Sequence, residues 1–255
     1  MRIVVKIGGS VLGTRTQDRW LEEIIQLARE GHQLLIVHGA GSLITDALAR
    51  RQAQTVFIDG QRVTTPEVME DVIREMRGTA NLEVVSLCRR VGLSAVGLSG
   101  ADGGFFDAAP LSLSQQLGLV GQVGTVHSAL VTALWDLAMI PVVAPLAPAV
   151  GSGKILNING DWAASGLAQQ LDADVLLYYT DTGGVRMDAD DAATLLTNLA
   201  ESKADALIAA GRISRGMIPK VRAALAASNK GVGWVGIGSW YHPEMTTQVV
   251  GGKEM

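Results

Sequence analysis

The sequence predicts an α/β fold built on a parallel sheet, and three observations carry that prediction. Short β-branched runs end in glycine turns, apolar residues at helical spacing separate those runs, and few residues are charged for the length. Of 255 residues, 48% are apolar and 18% charged, against about 25% charged in an average soluble domain. One body with two lobes and a large interior is expected.

Arg2 to Ile7 is a β-branched run closed by Gly8-Gly9, as a buried strand entering a tight turn would be. Trp20, Leu21, Ile24, Ile25 and Leu27 follow at helical spacing until Gly31 stops them. Gln33 to Val37 is a second strand, ended by His38-Gly39-Ala40-Gly41-Ser42, and a helix runs from Leu43 to Arg51. These pieces make a βαβ unit, whose ligands gather at the carboxyl ends of the strands. Val56 to Thr64 reads as a strand or hairpin with Arg62 in its turn. Thr65-Pro66-Glu67 supplies a cap, a first-turn proline and an early acid for a helix. Its pattern runs to Met76, breaks at Gly78 and resumes from Ala80 to Val91.

Ala95 to Leu98 is a strand opening onto Ser99-Gly100-Ala101-Asp102, and Gly118 to Gly124 alternates like a hairpin at the molecular edge. A helix at 127–138 and a strand from Ile140 to Ala144 follow. The Gly/Pro/Ala-rich stretch Pro145 to Gly153 marks the lobe boundary, giving lobes 1–150 and 151–255. Beyond it come a helix from Trp162 to Leu171 and an internal strand Val175 to Thr180 that ends in Asp181-Thr182-Gly183-Gly184. Helices near 201–210 and 219–229, a last strand Gly233 to Ile237 and a polar tail complete the chain.

Composition excludes several functions. A net charge of -4 with scattered basic residues gives no footprint for nucleic acid. The single cysteine, Cys88, rules out an internal disulfide or a cysteine metal cluster, and the start lacks the zones of a signal peptide, so a reducing cytoplasm is expected. Ala129 to Val150 is apolar over the roughly 20 residues that span a bilayer, but Asp136, Pro141, Pro145 and Pro148 argue for helix then buried strand, with no membrane. Gly231 to Gly236 fits a dinucleotide pattern yet lies in a strand. Gly151-Ser152-Gly153-Lys154 is followed by Ile155 where a phosphate loop needs Ser or Thr.

The remaining candidates concern anions. Gly39-Ala40-Gly41 lies between strand and helix, where backbone N–H groups and the helix end attract phosphate or carboxylate; a plain βα turn is the alternative. Lys6 is either a solvated terminal lysine or, in an otherwise buried strand, a cation that needs a partner. Lys220 stands at a helix start, where the dipole disfavours a cation and some anion should compensate it. Asp161 is either a helix-stabilising acid or that anion, and Asn157 and Asn159 either turn residues or contacts. Arg62 has the fork for a carboxylate, though an exposed arginine is the ordinary case.

Seven segments in order, Lys6-Ile7-Gly8-Gly9, His38-Gly39-Ala40-Gly41, Gly60-Gln61-Arg62-Val63-Thr64, Gly97 to Gly103, Asn157-Ile158-Asn159-Gly160-Asp161, Thr180 to Gly184 and Gly216-Met217-Ile218-Pro219-Lys220, resemble the signatures of the N-acetyl-L-glutamate kinases of the amino acid kinase family. The resemblance implies a three-layer αβα sandwich with a mainly parallel central sheet, an N-terminal lobe for the acyl amino acid and a C-terminal lobe for ATP. It implies phosphorylation of the side-chain carboxylate of N-acetyl-L-glutamate in arginine biosynthesis, with Mg²⁺ carried by ATP and a homodimer as the assembly. By motif match Lys6 and Lys220 would stabilise the moving phosphoryl, and Asp161 would orient them. Ala40, Gly41, Arg62 and Asn157 would meet the substrate, and Gly8, Gly9 and Gly39 the phosphates. Asp181, Thr182, Gly183, Gly184, Val185, Arg186, Arg212, Ile213 and Ser214 would line the nucleotide.

The chemistry agrees, since a carboxylate nucleophile is already ionised at neutral pH and needs no general base. It needs alignment of two anions and neutralisation of the charge between them. Ala40 stands for a usual glycine, Ala101 for a common lysine and Gly160 for a common alanine, departures that touch the substrate more than the reaction; one sister reading and one of a different class stand beside the kinase. One is a kinase for carrier-linked 2-aminoadipate or glutamate, the other a noncatalytic amino-acid sensor. Arginine-inhibited members add a helix before the first strand, which here begins at residue 2, so no arginine feedback is expected.

Overall fold

An eight-stranded sheet crosses the middle of the molecule, with helices on both faces. The computed structural model describes residues 1–9, 17–111, 114–180, 183–188, 191–213 and 216–252. Strand β1 (Arg2–Ile7), helix α1 (Gln17–Arg29), strand β2 (Gln33–His38) and helix α2 (Gly41–Arg50) form the expected unit. β1 and β2 pair in parallel from Arg2↔Gln33 to Ile7↔His38, so both glycine turns open at one edge.

The chain continues through β3 (Phe57–Ile58), β4 (Gln61–Arg62), α3 (Pro66–Ile73), α4 (Asn81–Arg90) and β5 (Ala95–Leu98). Then come β6 (Phe106–Pro110), α5 (Ser114–Leu117), β7 (Val120–Val126), α6 (Ala129–Asp136), β8 (Ile140–Val143), β9 (Leu146–Pro148) and β10 (Ile155–Ile158). The last part holds α7 (Gly160–Gln170), β11 (Val175–Tyr179), β12 (Asn198–Ala200), α8 (Glu201–Ala209), α9 (Ile218–Asn229), β13 (Trp234–Gly238) and β14 (Thr247–Val250).

The large sheet has the order β12-β14-β13-β11-β1-β2-β8-β5, and its pairings are parallel except β13 with β14. Alternate residues of the central strands feed two cores: Val4, Leu35, Leu176 and Tyr178 on one face, Ile3, Val5, Leu34, Ile36 and Leu177 on the other. Burial on both sides explains why these strands read as continuous apolar runs. The expected three-layer αβα class is what forms.

A smaller sheet, β6-β7-β10-β9, covers one end. β10 follows the expected lobe boundary but pairs with β7 and β9, which precede it. The stretch read as an edge hairpin is instead β7, a strand with a neighbour on each side. Its glycines mark close backbone approach: a Cβ on Gly121 would lie 2.9 Å from Ala109 O, and one on Gly124 3.0 Å from Asp107 O.

Gly78 does not break its helix. A π-helical segment, Arg74–Ala80, joins α3 to α4 without interruption, and Arg77 Nη1 donates to Asn81 Oδ1 across it at 2.9 Å. Strands β12 and β14 were not expected, because a short polar segment becomes a strand only through its neighbour. The apolar stretch from Ala129 to Val150 is α6, β8 and β9, and no helix among the described residues is long and apolar enough to cross a membrane. Cys88 is buried and free.

Candidate active site

The carboxyl ends of β1 and β2 set two glycine turns back to back. A Cβ on Gly9 would lie 2.9 Å from Gly41 N and 3.1 Å from Ala40 N, so only glycine permits this contact between main chains. α2 begins at Gly41 with Ala40 as its N-cap and no side-chain cap. Its first-turn N–H groups are therefore available to an anion, with the helix dipole behind them. Ala40 itself is buried.

Behind this turn His38 is fully buried, and burial lowers its pKa to about 4. Its Nε2 accepts from Asn81 Nδ2 at 2.9 Å, which leaves the proton on Nδ1 facing Gly39 O at 3.3 Å. The imidazole is thus a neutral support for the turn.

Lys6 and Asp161 meet as the sequence suggested. Lys6 Nζ lies 2.8 Å from Asp161 Oδ1, and Lys220 Nζ lies 2.9 Å from the same oxygen. All three side chains are nearly closed to solvent. Burial alone would raise the Asp161 carboxyl, but the two ammonium groups outweigh it and hold the group well below the usual carboxylate range. Burial, and then the Lys6 charge, lower Lys220 to about 8. Asp161 is thus the anion required by a cation at the start of α9, and Pro219 before that lysine occupies the first helical turn.

Asn159, left without a role by the sequence, is the N-cap of α7. Its Oδ1 accepts from Asp161 N at 2.9 Å and from Trp162 N at 3.4 Å, which fixes the main chain under the carboxylate. A Cβ on Gly160 would come to 3.4 Å from Lys6 Cε, ordinary contact, so alanine would fit there.

Arg62 departs from its expected place. The turn of the β3–β4 hairpin is Asp59-Gly60, both with positive φ (47° and 77°), while Arg62 lies in β4. Two such residues suit a two-residue hairpin turn. Arg62 is buried, its Nη2 donating to Gly41 O and Thr45 Oγ1 at 3.0 Å each, with its guanidinium 4.7 Å from the centre of the Phe57 ring. Asn157 Nδ2 donates to Thr64 Oγ1 at 3.1 Å.

A cavity of about 220 Å³ is lined by Lys6, Gly9, Gly39, Ala40, Gly41, Arg62, Asn157 and Asp161 among others. It shares Phe57, Gly60, Asn159 and Asp161 with a cleft of about 990 Å³ that reaches Gly216, Ile218, Pro219 and Arg222. The carboxylate with its two cations stands where the two spaces join.

Asp181, Thr182 and Ser214 lie outside the described residues. Of their expected companions, Gly8 is half-buried just after β1. Gly183, Gly184 and Val185 run beside the start of β14: Gly184 N donates to Met245 O and Val185 N to Thr247 Oγ1, each at 2.8 Å. Arg186 bridges to Leu195, while Ile213 is buried and Arg212 exposed between α8 and α9. The structure brings Lys6, Asp161, Arg62, Asn157 and the glycine turns together at the cavity, with Lys220 joined to them through Asp161 Oδ1; Gly183, Gly184 and Val185 follow β11 and lie against the start of β14, apart from Arg212 and Ile213 between α8 and α9.

Paired cations and uncapped amides at the mouth of a parallel sheet suit the handling of a transferred phosphoryl group, so the fold and site are those of a small-molecule phosphotransferase. A model of the amino acid kinase family matches residues 1–237, and the chain belongs to that family. The acetylglutamate kinase of Sulfurovum sp. is 40% identical over 236 residues, covering 91% of this chain and 81% of that protein. Among solved structures, smu.665 of Streptococcus mutans superposes with a TM-score of 0.87 at 28% identity, over 98% of each chain. Giardia lamblia carbamate kinase, with a TM-score of 0.73 at 17% identity over 98% of each chain, shares the fold.

Proposed function

We infer that the protein catalyses ATP-dependent phosphorylation of the side-chain carboxylate of N-acetyl-L-glutamate, yielding N-acetyl-L-glutamate 5-phosphate, a step of arginine biosynthesis. The observation that carries this reading is the pair of buried ammonium groups on Asp161 Oδ1 beside the uncapped end of α2. The names of relatives near 40% identity support the choice of substrate.

In this reading Lys6 and Lys220 meet the charge that spreads over the phosphoryl as it moves, and Asp161 keeps both aimed while the site is empty. Preorganised cations of this kind need no rearrangement at the moment of reaction. Amides at Gly8, Gly9, Ala40 and Gly41 receive phosphate and acceptor oxygens, while Gly39, whose own N–H donates to Ile7 O, lines the space they enter. Arg62, fixed by Gly41 O and Thr45, and Asn157, fixed by Thr64, bind the free α-carboxylate side of the acyl amino acid. Asp181 to Arg186 and Arg212 to Ser214 serve the nucleotide. The N-terminal lobe, 1–150, then takes the acyl amino acid and the C-terminal lobe, 151–255, takes ATP.

Among the described residues no group of three or more His, Cys, Asp or Glu side chains gathers for a metal, and Asp161 is held by its lysines. In this reading Mg²⁺ would be carried on the phosphates of ATP, where it would supply further charge neutralisation. We place the protein in the cytoplasm as a homodimer.

Incubation with ATP, Mg²⁺ and N-acetyl-L-glutamate in the presence of hydroxylamine tests the reading, because the acyl phosphate is trapped as a hydroxamate. Hydroxamate from 2-aminoadipate derivatives alone would transfer the reading to that sister substrate. None from any ω-carboxylate would leave a noncatalytic sensor.

A further inference from the structure

We propose that Tyr178 is a positioning residue for Lys220, a buried phenol that holds the main chain of Asp161 and turns its ring face toward the Lys220 ammonium. The proposal rests on the reading of Lys220 as a phosphoryl-transfer cation. Tyr178 is fully buried in β11, in direct register with Lys6 on β1. Its hydroxyl donates to Asp161 O at 3.1 Å, and Lys220 Nζ lies 5.3 Å from its ring centre.

The two contacts act on different parts of one assembly. The hydroxyl fixes the first turn of α7, from which the Asp161 carboxylate projects. The ring gives Lys220 a second attractive wall, opposite in kind to the carboxylate: the negative face of an aromatic quadrupole accepts a cation without competing for its N–H donors. An ammonium held only by Asp161 could swing about that oxygen. Bracketed by carboxylate and ring, it has one place to be. An aliphatic residue would fill the same space in this apolar strand, Val175-Leu176-Leu177-Tyr178-Tyr179, and do neither job.

The proposal predicts that Tyr178→Leu lowers kcat about 30-fold, the scale of a desolvated cation–π contact, with KM for both substrates within about threefold of the parent. Tyr178→Phe keeps the ring but loses the hydrogen bond to Asp161 O, so its kcat should lie between those of the parent and the Leu variant, within about fivefold of the parent. Independently of turnover, the Hε resonances of Lys220, assigned by their loss in Lys220→Arg, should move downfield in Tyr178→Leu as the ring-current shift disappears and stay in place in Tyr178→Phe.

A Leu variant with the parent's kcat, a Phe variant as slow as the Leu variant, or unmoved Lys220 resonances would overturn the assignment. If Tyr178→Leu does not fold, phenylalanines of increasing fluorination at 178 replace it: kcat falling with each fluorine supports the proposal, and a flat series overturns it. A parent enzyme that forms no hydroxamate while showing the ring-current shift would sink the kinase reading and leave the placement of Lys220 standing.

Discussion

Asp161→Asn keeps the shape of the side chain and removes its charge, which makes it the sharpest probe of the site. Each ammonium lies within 2.9 Å of Oδ1, where attraction at an effective dielectric near 20 is about 6 kcal/mol. Without the carboxylate, two buried cations repel, and the folded variant escapes by giving up a proton. Lys220, already lowered to about 8, is the one to lose it. Holding a lysine of ordinary value 10.5 neutral at pH 7 costs about 5 kcal/mol relative to the unfolded chain, part of which burial already imposes on the parent. The expected loss of stability at pH 7 is therefore about 3–5 kcal/mol, the range for breaking one side of a buried ion pair.

The sign of the pH dependence separates charge from packing. Between pH 7 and 8 the unfolded variant holds a proton that its folded state lacks, so its stability rises by about 1.4 kcal/mol per pH unit. The parent keeps Lys220 largely protonated in both states until about pH 8 and gains less over that interval. Urea unfolding at the two pH values reads both effects, and kcat of the variant should fall about 100-fold. A variant as stable as the parent at pH 7, or a deficit identical at pH 7 and 8, would refute the reasoning.

Two further outcomes are expected. Gly9→Ala places a methyl group against the main chain of the second turn, so it should cost about 1–3 kcal/mol in unfolding and raise KM for ATP; unchanged kinetics would remove the turn from phosphate binding. Arg62→Ala should raise KM for the acyl amino acid about 30-fold or more with KM for ATP unchanged, which steady-state kinetics with each substrate varied will show.

Much of this was legible because burial and charge conflict visibly in the sequence. Lys6 in an apolar strand and Lys220 at a helix start each demand an anion, and Asp161 answers both. The glycine turns were legible because their need is local. What escaped depends on neighbours distant in the chain. Gly121 and Gly124 look like turn residues until β6 is laid against them. Arg62 shifts from turn to strand because Asp59 joins Gly60 in the positive-φ turn. Tyr178 sits in a run whose apolar pattern gives no hint that its hydroxyl meets α7.

Both ammonium groups hang from a single oxygen at the head of α7, and that oxygen is a common pivot. Any rotation of the Asp161 carboxyl carries two charges in step, one from a strand near the start of the chain and one from a helix near its end. An arriving anion that draws off either lysine leaves the whole carboxylate to the other and relieves their mutual repulsion, so the pair can be shared between Asp161 and the newcomer. The fold has in effect riveted its two extremities together at the point where its substrates would touch.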